Sequence, residues 1–349
     1  MPCHDCPLKD ILLLIVSLLM ILASAEVFTN GVECLGRRLK LSQAVVGSLL
    51  AAVGTALPET ILPFVAILVY GGEAAKKIGV GAILGAPFML STLAFFLVGL
   101  SVIISFFRKK RKFELTVEVH SMKRDLSFFI VMYASSIFLP FVVHGSNMII
   151  AVLLFAGYIL YAYMTFRGES ADIMHSDELY FKRLSAILGR PRGEASSRPT
   201  AGLSLIVIQV LCSLGLMVSG AHVFVGSLGT LSAAWGMNPL IFALLIAPVA
   251  TELPEKFNSV TWTLKGRDTL ALGNITGAMV FQSTFPVAIG LLFTDWNVSG
   301  MALFSAILAL CSAIVVLADI SIRKKLSPVT VLLGGGFYII YAVVLIFGK

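Results

Sequence analysis

Long apolar runs separated by short polar breaks extend along nearly the whole chain. A run of about 18 or more apolar residues can cross the hydrocarbon core of a bilayer as one helix. The runs predict ten such helices, in two groups of five on either side of a polar stretch at residues 167–200. The predicted spans are residues 11–32, 41–70, 78–107, 126–143, 147–166, 203–231, 238–264, 269–293, 298–320 and 328–347. We therefore expect an all-α polytopic membrane protein.

Composition agrees with this class, because 58% of the 349 residues are hydrophobic and only 13% are charged. The net charge of +7 could suggest a nucleic-acid partner. The basic residues lie in short clusters between apolar runs, however, so we expect a lipid bilayer and no nucleic acid. The N-terminal CHDC sequence carries half of a zinc-ligand pattern without a second half, which favours a flexible tail over a structural zinc site.

Lysine and arginine fall mainly in alternate loops. Because cytoplasmic loops retain positive charge, this bias predicts a multi-pass cell-membrane protein with its N-terminus outside and residues 167–200 in the cytoplasm. The basic run RKKRK at residues 108–112 is expected to face anionic lipid as a solvated anchor rather than to recognise one lipid. The middle of residues 167–200 could form a short surface helix, and a plain connector is favoured over a regulatory segment.

Three sequence matches indicate an internal repeat. GTALPET at residues 54–60 aligns with ATELPEK at 250–256, and EVF at 26–28 aligns with HVF at 222–224. GAILGAPFMLST at residues 81–92 aligns with GNITGAMVFQST at 273–284. An odd number of spans in each half means that the second copy enters the membrane upside down.

The repeat divides the chain into three parts. Residues 1–166 form the first five-helix repeat, residues 167–200 the cytoplasmic linker, and residues 201–349 the second, inverted five-helix repeat. The predicted fold is therefore ten transmembrane helices arranged as two inverted five-helix repeats.

Three glutamates, Glu59, Glu252 and Glu255, lie near the middle of predicted spans. A charged side chain at the bilayer centre costs at least about 2.5 kcal/mol, so such a residue usually faces a protein interior or a cavity and marks an ion pathway. A single buried glutamate can be a packing residue held by hydrogen bonds. Its duplication beside a proline, Pro58 in one copy and Pro254 in the other, favours an ion site.

Each proline also frees a backbone carbonyl four residues earlier in its helix. With the hydroxyls of Thr55 and Thr251, these carbonyls and carboxylates make an oxygen-only ligand set. Ca²⁺ takes about six to eight oxygen ligands, and hard cations in general prefer oxygen to nitrogen or sulfur. The predicted metal ligands are Glu59, Glu252, Glu255, Thr55, Thr251 and Gln282.

Gln282 is included because of two glycine pairs, Gly81 with Gly85 and Gly273 with Gly277. Glycines four residues apart allow close helix packing, which is their expected role. Such packing in the second repeat would bring Gln282 toward the site.

The duplicated motif G-T-[small]-L-P-E, followed in each half by a glycine-rich helix, resembles the sodium/calcium exchangers of the calcium/cation antiporter superfamily. The resemblance covers nearly the whole chain and implies ten helices as two inverted fives. It also implies that Glu59 and Glu255 coordinate Ca²⁺, that Thr55 and Thr251 assist them, and that Na⁺ entry drives Ca²⁺ out. No prosthetic group is implied, since the Ca²⁺ and the Na⁺ or H⁺ are transported.

This chain departs from the family pattern at five positions. Ala56 and Glu252 stand where the family has serine, and Leu90 and Gln282 stand where it has a polar residue late in the next helix. Lys256 places a cation beside a cation site, where it either pairs with Glu252, four residues earlier, or turns away and reaches the membrane surface.

Two transport hypotheses remain after these departures, Ca²⁺ exchange against Na⁺ and Ca²⁺ or other cation exchange against H⁺. An intramembrane acid/base enzyme is disfavoured because the chain has neither HExxH nor GxSxG. A cation channel is disfavoured because channels use a continuous pore with repeated rings of ligands. The sequence leaves the oligomeric state open.

Overall fold

The computed structural model describes residues 7–38, 57–143, 145–168, 179–180 and 202–347. Within these ranges the chain is helical apart from turns and one isolated β-bridge between Leu115 and Leu326. The helices are α1 Pro7–Arg38, α2 Leu57–Phe64, α3 Glu73–Met89, α4 Phe95–Phe107, α5 Val119–Val142, α6 Asn147–Gly168, α7 Leu203–Ala234, α8 Pro239–Thr251, α9 Leu253–Leu264, α10 Asp268–Gln282, α11 Phe285–Phe293, α12 Gly300–Arg323 and α13 Pro328–Phe347. Two further segments are π-helical: Val65–Tyr70 continues α2, and Leu90–Ala94 joins α3 to α4.

Eight helical segments in the described ranges are long and apolar enough to cross a membrane. Two shorter apolar helices, Leu57–Tyr70 and Pro239–Val249, lie where the sequence predicts further spans. The all-helical, multi-pass prediction is therefore confirmed. Residues 41–56 of the predicted second span, residues 1–6 with the CHDC sequence, and most of residues 167–200 lie outside the described residues.

Two predicted spans are not single helices. The span predicted at residues 238–264 stops at Thr251 and restarts at Leu253, and the span predicted at 269–293 stops at Gln282 and restarts at Phe285. Each new helix has a proline in its first turn, where the missing N–H costs nothing but a continuous helix would lose a hydrogen bond. The broken helices therefore begin again at their prolines.

The hydrophobic core has two parts. One is formed mainly by α1, α2, α7 and α8, and the other mainly by α4, α5, α6 and α10 to α13. Helices α3 and α8 contribute side chains to both parts. Helix α8, which ends at the break before α9, therefore lies at the boundary between the two parts of the core.

Helices α1 and α7 pack antiparallel over much of their length. A Cβ atom added at Gly31 would lie 2.9 Å from Val210, and one added at Gly220 would lie 3.2 Å from the carbonyl oxygen of Ser17. The buried amide of Gln209 donates to the carbonyl of Val27 at 2.9 Å. Later residues of α1 thus contact earlier residues of α7.

Helices α3 and α8 pack parallel and close together. A Cβ atom added at Gly81 would overlap the carbonyl oxygen of Leu240, and one added at Gly85 would overlap that of Leu244. The predicted packing role is confirmed for this glycine pair. In the second pair, an added Cβ at Gly277 would lie 3.6 Å from the Tyr161 hydroxyl, which is ordinary contact.

We expect the substitution Gly85→Ala to destabilise the protein by about 1–3 kcal/mol, because the new methyl group must push backbone apart in a packed interface. Gly336→Ala is the matched control, since Gly336 is an exposed helical glycine and no described atom lies within 4 Å of its added Cβ. Thermal unfolding in detergent measures both. Equal melting temperatures for the two variants would contradict the close packing of α3 on α8.

The basic run at residues 108–112 is not wholly a lipid-facing anchor. Arg111 turns into the protein and binds Asp268 through two contacts of 2.8 and 2.6 Å, while the other four residues of the run are exposed. Arg111 also donates to the carbonyl of Thr263, and the amide of Thr116 donates to Asp268. The anchor prediction is therefore wrong for Arg111, because a buried carboxylate at the start of α10 provides a better partner than lipid.

A second buried polar contact holds α10 against α5. Asp125 accepts from Arg124 at 3.0 Å and from the Thr276 hydroxyl at 2.8 Å. The Arg124 guanidinium also lies over the ring of Tyr161. Two separate polar contacts, through Asp268 and Thr276, thus fix the helix that ends at Gln282.

Candidate ion-binding site

Glu59 and Thr251 line one small cavity between the two halves of the chain. Glu59 stands in the first turn of α2 and is 6% exposed. Pro248 and Thr251 come from the last turn of α8, and small or apolar side chains of α3 close the remaining wall. The described part of this cavity has room for about one water-sized particle. The structure therefore brings together a predicted carboxylate ligand and a predicted hydroxyl ligand.

Thr251 is buried, and its hydroxyl donates to the carbonyl of Ala247 at 3.2 Å. A hydroxyl that donates its hydrogen in this way still has oxygen lone pairs with which to accept a hydrogen bond or bind a cation. The local helix thus orients Thr251 as an oxygen ligand at the wall of the cavity.

Glu252 is the residue at which α8 ends and α9 begins. Its backbone has φ −91° and ψ 7°, and its side chain is fully buried. The Lys256 Nζ lies 2.9 Å from Glu252 Oε2, and only 6% of the lysine side chain is exposed. The predicted pairing of Lys256 with Glu252 is confirmed, and the alternative of a lysine reaching the membrane surface is wrong.

Lys256 makes a further contact across the helix break, because Nζ donates to the carbonyl oxygen of Pro248 at 3.2 Å. Pro248 also lines the cavity that contains Glu59. The ammonium group therefore sits among carboxylate and carbonyl oxygens at the edge of the candidate site.

Gln282 lies at the end of α10, beside Glu252. Its side chain is 2% exposed, and its Oε1 accepts no hydrogen bond from the described residues. A buried carbonyl oxygen left without a partner costs about 1–3 kcal/mol, which a bound cation would offset. The geometry therefore fits the predicted role of Gln282 as an oxygen ligand.

Two predicted ligands, Glu252 and Gln282, are described but do not line this cavity, and two others cannot be placed. Thr55 lies outside the described residues. Glu255 is the third residue of α9, but its side chain is also outside the described part of the chain. The described residues contain no group of three or more His, Cys, Asp or Glu side chains that could hold a metal ion.

The hydrogen bonds of Pro248 and Ser259 could not be predicted from the sequence alone. The carbonyl of Pro248 accepts a hydrogen bond from Lys256. The sequence signal for a helix break at this point is the pair of prolines, Pro248 and Pro254, on either side of Glu252. The buried hydroxyl of Ser259 donates to the carbonyl of Ala271, and the amide of Asn274 donates to Ser259 at 3.5 Å. Ser259 therefore joins α9 to α10, rather than facing the cavity.

Known proteins resemble this chain both in sequence and in structure. The inner membrane protein YrbG of Escherichia coli is 24% identical over 330 residues, which cover 94% of each chain. The H⁺/Ca²⁺ exchanger CAX is similar in structure, with a TM-score of 0.69 and 17% identity over 99% of this chain and 83% of the other. The sodium-calcium exchanger NCX_Mj has a TM-score of 0.57 and 17% identity over 98% of this chain and 99% of the other.

The structural similarities show a shared fold. The family is shown by a sequence model described as "Sodium/calcium exchanger protein", which matches residues 9–167 and 205–348, on both sides of the predicted linker. With most of its length matched, the chain belongs to the sodium/calcium exchanger protein family.

Proposed function

We propose that this protein is a secondary active antiporter that exchanges Ca²⁺ for Na⁺ by alternating access at a carboxylate site deep in the membrane. The observation that carries the proposal is buried Glu59, which shares a small cavity with Thr251 and Pro248 from the other half of the chain. Family membership supports a cation antiporter rather than an enzyme. Inorganic cations and the lipid bilayer are its proposed partners.

The proposed fold is two inverted repeats of five helices, residues 1–166 and 201–349. The antiparallel pairing of α1 with α7 and the parallel pairing of α3 with α8 support it, because an odd number of spans per repeat requires those directions. The π-helical segment Leu90–Ala94 and the break after Gln282 also fall at equivalent positions. Paired irregularities of this kind are typical of transporter binding sites.

For orientation we propose an outside N-terminus and a cytoplasmic linker at residues 167–200. Two predicted cytoplasmic loops meet through the contact of Arg111 with Asp268. A third joins them through the β-bridge between Leu115 and Leu326. Three loops predicted to share one membrane face thus contact one another.

The proposed ligands are Glu59 and Glu255 as charged groups, with Thr55, Thr251 and Gln282 as neutral oxygen donors. Glu252 belongs to the same site, and its charge is compensated by Lys256 at 2.9 Å. Such a set neutralises a dication with two carboxylates and provides the several oxygen ligands that Ca²⁺ needs.

We expect an outward-directed Na⁺ gradient, in which Na⁺ leaves the proteoliposome as Ca²⁺ enters, to drive Ca²⁺ uptake. Na⁺, H⁺ and K⁺ gradients are imposed separately, and uptake of radiolabelled Ca²⁺ is recorded. A Na⁺ gradient should give uptake several-fold above that of liposomes without protein. Ca²⁺ uptake that does not depend on any of the three gradients would indicate a channel or no transport, and would contradict antiport.

Exchange of Ca²⁺ for H⁺ is the second candidate. It is favoured by the pairing of Glu252 with Lys256 and by the neutral amide at Gln282, because both leave fewer negative charges for Na⁺. A pH gradient that drives Ca²⁺ uptake, with no effect of Na⁺, would establish this candidate in place of the first.

A further inference from the structure

The least expected group in the candidate site is the buried ammonium of Lys256. Cation transporters collect negative charge at their binding sites, yet here an ammonium contacts Pro248, a residue that lines the cavity of Glu59. The lysine is not directed out of the protein, since 6% of its side chain is exposed and the carboxylate that it contacts is fully buried.

The oxygen atoms around this ammonium are those that a small monovalent cation would use. Nζ contacts Glu252 Oε2 at 2.9 Å and the Pro248 carbonyl oxygen at 3.2 Å, on either side of the helix break. An ammonium is a compact point charge with three donors, so it can replace a monovalent ion in a cage of oxygens. Pro248 also lines the cavity of Glu59, so one residue contacts both the ammonium and the candidate site.

We propose that the Lys256 ammonium is a tethered substitute for one monovalent cation, held permanently between Glu252 and Pro248. The inference rests on the proposed antiport function and specifies its charge balance. Glu252 stays neutralised throughout the cycle by a group that cannot leave. The exchanger then binds and carries one fewer monovalent ion than the same site would without the lysine.

This assignment predicts the effect of removing each charge. Lys256→Met leaves the Glu252 carboxylate without its ammonium, so a mobile Na⁺ should occupy the vacated oxygens. The double variant with Glu252→Gln and Lys256→Met removes both charges, so the extra ion should disappear again. Glu252→Gln alone leaves the ammonium uncompensated near Glu59, and Ca²⁺ binding should weaken at least about tenfold.

The first measurement counts radiolabelled Na⁺ bound to purified protein without Ca²⁺, so that it does not depend on transport. Lys256→Met should bind one more Na⁺ per chain than the parent protein, and the double variant should bind the parent number. Lys76→Met is the matched control, because Lys76 also pairs with a glutamate but is 38% exposed. It should leave the number unchanged. An unchanged number for Lys256→Met would overturn the proposal.

A purely structural ion pair would change stability in these variants without changing the number of bound ions. If Lys256→Met does not fold, Ca²⁺ binding to Glu252→Gln and to the double variant decides the matter. Recovery of binding on removal of the lysine supports the proposal, and absence of recovery overturns it. Failure of the parent protein to exchange Ca²⁺ in proteoliposomes would instead reject the antiport function, while the Na⁺ count would still test the tethered ammonium.

Discussion

Replacing Glu59 by glutamine is expected to reduce Ca²⁺ transport about 100-fold or more. Glutamine keeps the size of the side chain but removes the only charge that the described residues place in the cavity with Thr251. In the proposed function Glu59 pairs with bound Ca²⁺; removing one member of a buried charge pair costs about 3–5 kcal/mol, and about 2.8 kcal/mol already corresponds to 100-fold in binding. The measurement is gradient-driven uptake of radiolabelled Ca²⁺ in proteoliposomes.

Glu73→Gln is the control for this substitution, because Glu73 is an exposed carboxylate whose contact with Lys76 spans 3.8 Å at the surface. It should transport as the unmodified protein does. Glu255→Gln should match Glu59→Gln, since Glu255 occupies the equivalent position of the second repeat. Normal Ca²⁺ flux in both Glu59→Gln and Glu255→Gln would show that the cavity is not the transport site.

Much of this fold could be predicted from hydrophobic runs. Those runs gave the positions of nearly all of the spans because a bilayer requires long, continuous apolar helices. The duplicated motif also led to Glu59 and Thr251, which lie 192 residues apart and meet at one cavity. A repeated cluster of charge and proline is informative because each copy alone would be costly inside a membrane.

The positions of the helix breaks were less predictable. A proline within an apolar run disfavours a continuous helix, but it does not decide whether the chain kinks, forms a π-helical segment or starts a new helix. The last two occur here, with a π-helical segment at Leu90–Ala94 after Pro87 and new helices at Leu253 and Phe285. The outcome depends on packing by neighbouring helices, which a local pattern does not contain.

The break at Glu252 also explains why one contact of Lys256 was missed. Pairing with Glu252 follows from their spacing of four residues on a helix. The carbonyl of Pro248 is eight residues earlier, about 12 Å along a continuous helix, beyond the reach of a lysine side chain. The contact with Pro248 forms across the turn at Glu252, where α8 ends and α9 begins.

The partner of Arg111 could not be predicted for a different reason. Five basic residues in sequence are equivalent by composition, and Asp268 is 157 residues away from the one that it binds. Only the packed loops distinguish Arg111 from its neighbours. The hydrogen bonds that Arg111 donates to Asp268 raise the pKa of the Arg111 guanidinium above its usual range, so this group stays charged.

Arg111→Met is the second substitution expected to have a large effect, here on stability. Asp268 is 1% exposed, and its two oxygens are held by Arg111 at 2.8 and 2.6 Å. Removing the guanidinium leaves a buried carboxylate with only the Thr116 amide described as its remaining donor, which should cost about 3–5 kcal/mol. Thermal unfolding of purified protein in detergent measures this loss as a lower melting temperature.

Arg108→Met is the matched control, because it removes the same charge from the same basic run at an exposed position. If the run acts only as an anchor on anionic lipid, the two variants should keep equal stability in detergent. A selective fall in melting temperature for Arg111→Met would show that this arginine fixes the start of α10. Since α10 ends at Gln282, the same variant should also weaken Ca²⁺ uptake, and normal uptake would separate the loop contact from the ion site.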